Sequence, residues 1–229
     1  MLELRDHSLN EALYKELEFV TGGLRGIIGV GSNRVNRFTI RKATQEISNY
    51  ISKSGLDKPK VAVIAYDTCN YSKEFALETT LHYVANGIKA YLFSEVTPTS
   101  ILSFAVRYLD ADIGIVITAS HNSKEYNRYK VYDNYGGQIT LELANHYENE
   151  IRTLNIFKDS KTLSEDQAIS LNLLFYLDQE VYEAYYKEVI ESNEIIFTNN
   201  NLNIIYTRPH YLQLSVLMKC MYVAMKWLC

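Results

Sequence analysis

The segment Val61-Ala62-Val63-Ile64-Ala65-Tyr66 decides the fold, because a short, wholly apolar run is typical of a strand buried on both faces of a parallel sheet. Residues 88–93 and 113–118 are predicted as two further strands of this kind. Helical periodicity predicts a helix in each interval between them, over residues 72–86 and 99–108. Alternating strands and helices with short connections predict an α/β fold, a three-layer α/β/α domain with a mostly parallel, mixed sheet.

The segments on either side add elements to this domain. Apolar residues at helical spacing predict helices over residues 9–19, 39–54 and 141–154, and residues 130–132 are predicted to form an edge strand. Five of the ten glycines lie within residues 22–31. This density indicates a backbone that turns tightly or approaches another segment closely.

The chain is predicted to contain one whole domain and the beginning of another. A charged amphipathic helix over residues 176–190 and an apolar strand over residues 202–206 indicate the start of a second, similar domain. The predicted organisation is a first domain over residues 1–155, a linker over 156–174, an incomplete second domain over 175–207 and an anomalous tail over 208–229.

This tail differs in composition from the rest of the chain. Residues 208–229 contain no Asp or Glu, but they hold three of the four Met, two of the three Cys and the one Trp. A genuine tail could differ this much, but a shift of reading frame after Thr207 explains the change more directly. We therefore expect the sequence to lose its relation to the rest of the chain beyond that point.

Composition narrows the class of protein. The chain of 229 residues is 47% hydrophobic and 22% charged, which excludes a disordered or fibrous chain. The net charge of −4 disfavours a nucleic-acid partner, and the chain has no run of about 18 apolar residues that would predict a membrane span. The three cysteines have neither an even count nor metal-ligand spacing, so we expect a reducing, cytoplasmic location.

Small and polar residues end the strand predicted over residues 113–118 and continue beyond it. They form the segment Thr118-Ala119-Ser120-His121-Asn122, and in open α/β sheets ligands bind just beyond the carboxyl ends of the strands. Basic residues come soon after, namely Lys124, Arg128 and Lys130. Their charge suits a phosphate, so we expect an anionic ligand.

Two other interpretations of this segment exist. A serine hydrolase needs the pattern G-x-S-x-G, and Thr118 and Asn122 occupy the glycine positions, which disfavours that interpretation. Ser120 and Asn122 could also simply satisfy the hydrogen bonds of their own turn. The segment by itself leaves open the choice between a binding loop and a plain turn.

A wider pattern of motifs surrounds the segment. Thr118-Ala119-Ser120-His121-Asn122, followed by Tyr126-Asn127-Arg128-Tyr129-Lys130, resembles the phosphoserine loop of the α-D-phosphohexomutases, the phosphoglucomutase and phosphomannomutase family. The family pattern reads T-A-S-H-N-P and then Y-N-G-Y-K. Similar segments elsewhere are Thr21-Gly22-Gly23-Leu24-Arg25-Gly26, Thr39-Ile40-Arg41-Lys42-Ala43-Thr44-Gln45 and Ser103-Phe104-Ala105-Val106-Arg107-Tyr108-Leu109. The resemblance extends in order over residues 18–140.

The resemblance implies an isomerase that transfers a phosphoryl group within a sugar phosphate through a phosphoserine. Ser120 would carry the phosphoryl group, and Arg25 and Lys130 would assist proton movement and neutralise charge. His121 and Asn122 would position the serine or the substrate, which Arg25, Asn122 and Lys130 would bind. Mg²⁺ would bind the phosphoryl group on Ser120, with aspartates as its other ligands. The implied substrates are hexose or pentose phosphates, with a sugar 1,6-bisphosphate as activator.

The sequence departs from the family pattern near this segment. Cys69 stands where the family's D-S-R has its arginine, Ser123 replaces the proline after H-N, and Arg128 replaces the glycine of Y-N-G-Y-K. A side chain at that glycine position would cost about 1 kcal/mol or more if the backbone there had a positive φ. Asp67 is expected to hold its loop by hydrogen bonds rather than to bind a metal.

Other motifs of the family have no counterpart in these residues. The family's aspartate-rich metal loop reads D-G-D-x-D-R and its sugar-recognition motif reads G-E-x-S, and neither occurs in the 229 residues. We therefore expect this chain alone to be inactive as a mutase. The alternative is a non-catalytic remnant that binds sugar phosphates or a partner chain. No oligomeric state is predicted.

Overall fold

The computed structural model describes residues 2–20, 22–53, 58–120, 122–151 and 161–192, which alternate between helices and strands. The helices are α1 (Leu2–Leu13), α2 (Arg37–Lys53), α3 (Ser72–Ala85), α4 (Thr99–Tyr108), α5 (Leu141–Ile151), α6 (Glu165–Ser170) and α7 (Gln179–Glu191). The strands are β1 (Phe19–Val20), β2 (Gly23–Ile27), β3 (Val61–Tyr66), β4 (Lys89–Phe93), β5 (Ile113–Ile117), β6 (Tyr126–Tyr132) and β7 (Leu174–Leu177).

The strands form one mixed sheet of seven strands in the order β1-β2-β6-β5-β3-β4-β7. From β5 to β7 the neighbours pair in parallel, and from β1 to β5 they pair antiparallel. The helices α3 and α4 supply the crossovers that parallel neighbours require. β5 therefore lies where the two halves of the sheet meet.

Helices cover both faces of the sheet, which confirms the predicted three-layer α/β/α architecture. Along β3, Ala62 and Ile64 belong to the core beneath α2, α3, α5 and α6, whereas Val63 and Ala65 belong to the core beneath α4 and α7. Every residue of β5 is buried. Burial on both faces explains why β3 and β5 are apolar along their whole length.

Gly23 accounts for part of the glycine-rich segment. It begins β2 with a φ of +130°, and a Cβ atom there would lie 1.9 Å from the backbone oxygen of Tyr129 in β6. The missing side chain therefore lets β2 lie beside β6, which is the predicted close approach. Since β2 carries Arg25, this contact also positions a predicted site residue.

The prediction of an edge strand over residues 130–132 was wrong in length and place. β6 covers Tyr126–Tyr132 and lies inside the sheet, between β2 and β5. Asn127, Tyr129 and Val131 are buried, and the residues between them are partly exposed. The alternation of burial along β6 is what distinguishes this strand, because three of its seven side chains, Asn127, Arg128 and Lys130, are polar or charged.

The helix predicted over residues 9–19 begins and ends earlier in the chain than predicted. α1 ends at Leu13, and Phe19 instead belongs to β1, where it pairs with Leu24 of β2. Phe19 is buried against the sheet core rather than on a helix face. The tight connection through Gly22, whose φ is +86°, makes this short antiparallel pair feasible.

The segment predicted to open a second domain joins the first sheet as far as the structure describes it. The predicted helix over residues 176–190 begins later, because residues 174–177 form β7, which pairs in parallel with β4. α7 then packs beside α4 and buries three side chains in the core that lies beneath these two helices. The strong helical pattern of α7 concealed the short strand before it.

The predicted linker over residues 156–174 contains a helix, α6. Ser164 and Gln167 form a capping box at its N-terminus. The strand predicted over residues 202–206 and the anomalous tail over 208–229 lie outside the described residues. Among the helices that the structure does describe, none combines the length and the apolar character that a membrane span requires.

Candidate functional site

Ser120 lies in a tight turn beyond the carboxyl end of β5. Its φ of 58° is in the left-handed region, which a non-glycine residue adopts at a cost of about 1 kcal/mol or more. The Ser120 amide donates to the Thr118 hydroxyl at 2.9 Å, and the Asn122 amide and side chain both donate to the Ala119 oxygen, at 3.1 and 2.6 Å. These bonds hold the turn in a shape that places Ser120 at the sheet edge.

Arg25 reaches this turn from β2. Its Nη2 donates to Asn122 Oδ1 at 2.6 Å, and its guanidinium lies 5.6 Å from the centre of the Tyr126 ring. In the described part of the chain it makes no ion pair with a carboxylate. The structure therefore brings Arg25 and Asn122 together at the Ser120 turn.

The strand register places two more cations on the same face of the sheet. Arg25 pairs directly with Arg128 of β6, and Lys130 follows two residues later. Partial burial lowers the pKa of Lys130, and the neighbouring charge of Arg128 lowers it further, whereas Asp67 acts in the opposite direction. Burial and the charge of Arg25 likewise lower the pKa of Arg128. This basic face, formed by Arg25, Arg128 and Lys130, is electrostatically suited to an anion.

Asp67 holds the loop after β3, as predicted. Its Oδ1 accepts the Cys69 amide at 2.9 Å and the Ser72 hydroxyl at 2.7 Å, and its Oδ2 accepts the Cys69 thiol at 3.1 Å. Burial, more than the Asp67 bond, raises the pKa of Cys69 to about 11, although a hydrogen bond with the Ala119 backbone opposes this. Cys69 is therefore a neutral thiol in contact with the serine turn.

Asn127 ties the strand to this loop. It is fully buried, and its Nδ2 donates to the Asn70 oxygen at 2.9 Å and to Ser72 Oγ at 3.1 Å. The Asn70 side chain in turn donates to the Lys124 oxygen at 3.1 Å. Sequence reasoning assigned Asn127 no role, although an amide at a buried position of an alternating strand was a usable signal.

The structure brings two of the predicted site residues, Arg25 and Asn122, together at the Ser120 turn. Lys130 lies on the same face of the sheet as Arg25 but opposite Val116, inside the sheet, and His121 lies outside the described residues. The strain considered for Arg128 is absent, because its backbone is that of a strand and its φ is not positive. Sequence reasoning also missed Tyr126, whose ring faces the Arg25 guanidinium.

The donor set for Mg²⁺ is incomplete in these residues. Within the described ranges, no group of three or more His, Cys, Asp or Glu side chains could hold a metal ion. Asp67, the carboxylate that directly follows β3, already accepts three hydrogen bonds. The described side chains therefore do not fit a Mg²⁺ site of their own.

A pocket of about 890 Å³ lies elsewhere, beside β1, β2 and the start of α2. Apolar side chains such as Phe19, Ile28 and Phe38 line it, and none of the predicted site residues does. Its two cationic lining residues, Arg37 and Lys42, are already paired with the carboxylates of Glu78 and Glu16, so they are poorly placed to bind a doubly charged phosphate. The chemistry of the chain therefore points to the open basic face rather than to this pocket.

The serine turn lies at the carboxyl end of β5 in an α/β/α sheet, which is where α/β domains of this class bind their ligands. Residues 16–156 match the family described as phosphoglucomutase/phosphomannomutase, alpha/beta/alpha domain I. A phosphoglucomutase from Staphylococcus haemolyticus (strain JCSC1435) is 38% identical over 199 residues, which are 85% of this chain and 35% of the relative. A phosphopentomutase from Homo sapiens is 31% identical over 211 residues, 85% of this chain and 34% of the relative.

A solved structure agrees with these relatives. A protein assigned as a phosphomannomutase from Thermus thermophilus superposes with a TM-score of 0.64 and 26% identity, over 77% of this chain and 36% of that chain. The chain therefore belongs to the phosphoglucomutase/phosphomannomutase family. It spans about a third of the length of these relatives.

Proposed function

We propose that this chain is the phosphoserine domain of a phosphohexomutase, which moves a phosphoryl group within hexose or pentose phosphates. One observation carries the proposal: the Ser120 turn lies at the carboxyl edge of β5, and Arg25 reaches it through Asn122 at 2.6 Å. The names of the relatives, phosphoglucomutase and phosphopentomutase, support the sugar-phosphate class of substrate.

The proposed step is a reversible transfer between Ser120 and a sugar oxygen. As the bond between phosphorus and the sugar oxygen breaks, a bond from phosphorus to Ser120 Oγ forms, and the serine proton passes to the sugar oxygen. Lys130 relays this proton, which fits a pKa lowered by burial and by Arg128. Arg25 neutralises the charge on the phosphoryl oxygens, and His121 and Asn122 position the serine or the substrate.

Two small molecules belong to the proposal. A sugar 1,6-bisphosphate acts as activator because it can donate the phosphoryl group that Ser120 first carries. Mg²⁺ is proposed from the family resemblance, but the described side chains do not fit it, so no step here depends on the metal. The isolated chain is proposed to take up the phosphoryl group without completing a turnover.

The test is to incubate the purified chain with glucose 1,6-bisphosphate and to locate phosphate by peptide mass spectrometry. The expected result is phosphate on Ser120, with none on Ser120→Ala. Ser123→Ala removes an exposed hydroxyl three residues away and serves as the matched control, which is expected to label like the unsubstituted chain. Phosphate on another residue, or none on a folded chain, would contradict the proposal.

A second candidate function is a non-catalytic remnant that binds sugar phosphates or a partner chain. The lack of a metal-binding carboxylate cluster among the described residues favours it. This candidate predicts binding of glucose 1-phosphate without labelling of Ser120, so the same incubation, combined with a binding assay, separates the two functions.

A further inference from the structure

Arg128 is a charged side chain with a buried donor that the described residues leave unsatisfied. It is partly buried on β6, and its Nε atom is buried without a hydrogen-bond partner among the described residues. No described carboxylate forms an ion pair with its guanidinium. A buried donor left in this way costs free energy, and a ligand that accepted a hydrogen bond from it would offset that cost.

The neighbours of Arg128 increase its need for an anion. Arg25 lies directly opposite on β2, and Lys130 follows on the same face of β6. The nearby carboxylate of Asp67 accepts three hydrogen bonds from Cys69 and Ser72, and among the described residues it forms no ion pair with this face. Three cations with no paired carboxylate repel one another. Burial is the larger cause of the lowered pKa values of Arg128 and Lys130, and the neighbouring charge of Arg25 lowers the first further as that of Arg128 lowers the second.

Arg128 also has the right position beside the serine turn. Its backbone oxygen accepts a hydrogen bond from the Thr118 amide at 3.1 Å. Arg128 is therefore next to Thr118, whose hydroxyl accepts a hydrogen bond from the Ser120 amide. Arg25, its cross-strand partner, already reaches Asn122 of that turn. An anion next to Ser120 is therefore within the region that these two guanidinium groups border.

We propose that Arg128 is a phosphate-binding residue of the Ser120 site, where its guanidinium and that of Arg25 grip one phosphate group from the same face of the sheet. This inference rests on the proposed function and deepens it, because it names the side chain that would recognise the phosphate. The planar guanidinium can donate two parallel hydrogen bonds to phosphate oxygens, which a lysine cannot. The phosphate is either that of a free sugar phosphate or the one carried by Ser120.

Titration calorimetry with inorganic phosphate and with glucose 1-phosphate tests the inference on the full chain. Arg128→Gln is expected to weaken binding of both about tenfold, because a charge-assisted pair of hydrogen bonds is lost. Arg128→Lys keeps the charge but not the paired donors, so its phosphate affinity should lie between those of Arg128→Gln and the unsubstituted chain. Arg107→Gln removes the same charge from an exposed position on α4 and should bind like the unsubstituted chain.

The two sources of phosphate are distinguished by Ser120→Ala. Loss of binding on Arg128→Gln in the Ser120→Ala background shows that Arg128 binds a free phosphate. If only the labelling of Ser120 after incubation with glucose 1,6-bisphosphate falls, Arg128 binds the phosphoryl group on the serine. Equal or tighter phosphate binding by a folded Arg128→Gln chain with unchanged labelling, or no phosphate binding and no labelling by the unsubstituted chain, would overturn the inference.

These readouts separate this inference from the proposed function. Phosphate binding that depends on Arg128 without any phosphoserine would leave the inference standing and refute transfer. If Arg128→Gln forms phosphoserine and binds phosphate as the unsubstituted chain does, the proposed transfer would stand and the inference about Arg128 would be refuted. Thermal unfolding of each variant shows whether a lost signal reflects a lost fold.

Discussion

The neighbouring strands β5 and β6 differ in how they use their side chains. Every residue of β5 is buried, whereas β6 buries alternate residues and leaves Arg128 and Lys130 partly exposed on the basic face. β5 fixes the point at which the serine turn leaves the sheet, and β6 brings charge to that point. The difference indicates that stability and chemistry are divided between two adjacent strands, so substitutions in each should have separable effects.

The largest expected effect lies in β5. Ile115→Ala removes a side chain with no exposed surface from the core, and the unfolding free energy should fall by about 2–5 kcal/mol. Urea unfolding followed by circular dichroism measures the loss. Exposed Ile169→Ala on α6 is the control and should change the free energy by less than about 0.5 kcal/mol. A similarly small loss for Ile115→Ala would remove the structural role assigned to β5.

A second prediction concerns His82, a buried residue of α3 that contacts α2. His82 has no exposed surface, its Nε2 lies 3.0 Å from Gln45 Oε1, and burial, assisted by the charge of Arg41, lowers its pKa to about 4. Between pH 6.5 and 4 the unfolded chain binds a proton that the folded chain does not, so acid destabilises the fold. His82 alone should contribute a loss of roughly 3 kcal/mol over this window.

His82→Gln keeps a polar side chain near Gln45 and removes the titration. Urea unfolding at pH 7 and pH 4.5 should show a smaller acid-induced loss for this variant than for the unsubstituted chain. His146→Gln, at an exposed position of α5, should leave the pH dependence unchanged. Parallel pH profiles for all three chains would show that His82 is not the buried neutral group described here.

A smaller effect is expected from the buried amide of β6. Asn127→Ala leaves the Asn70 oxygen and Ser72 Oγ without their donor, which should cost about 1–3 kcal/mol. Because these bonds tie the loop after β3 to the strand, amide hydrogen exchange in that loop should also accelerate. Asn134→Ala, in an exposed turn, is the matched control. Unchanged exchange in the loop would mean that Asn127 does not hold it.

The contrast between the two strands also explains what the sequence could predict. β3 was predicted at its observed bounds and β5 to within one residue, since burial on both faces leaves an unbroken apolar run. The helix over residues 99–108 was also predicted at its observed bounds, because its apolar residues recur at helical spacing. The length of β6 was underestimated because its charged residues, Arg128 and Lys130, interrupt the apolar pattern. β7 was missed because a short strand beside a strongly periodic helix carries too few residues to show its own period.

The resemblance named candidate site residues, but their geometry came only from the fold. The fold joins Arg25 to Asn122 at the Ser120 turn and places Lys130 on the same face of the sheet as Arg25. The role of Arg128 could not be read from the sequence, because a glycine replaced by arginine signals strain or function according to a backbone angle that only the fold determines. Its strand conformation removes the strain and leaves the charge to be explained.

The smallest effect on stability, and the most direct test of the division between the buried core of β5 and the basic face, is expected from Arg25 of β2. Its side chain is exposed and makes no ion pair in the described residues, so Arg25→Gln should change the unfolding free energy by less than about 0.5 kcal/mol. The rate at which Ser120 takes up phosphate from glucose 1,6-bisphosphate should nevertheless fall about a hundredfold, because a charge that stabilises the transferring group is lost.

The decisive measurement is therefore that rate, determined by mass spectrometry on Arg25→Gln and Ile115→Val beside the unsubstituted chain, with urea unfolding of the same samples. The account predicts a slow but stable Arg25→Gln chain and a less stable Ile115→Val chain that labels at the normal rate while folded. Equal labelling of Arg25→Gln and the unsubstituted chain would contradict the claim that the basic face serves Ser120.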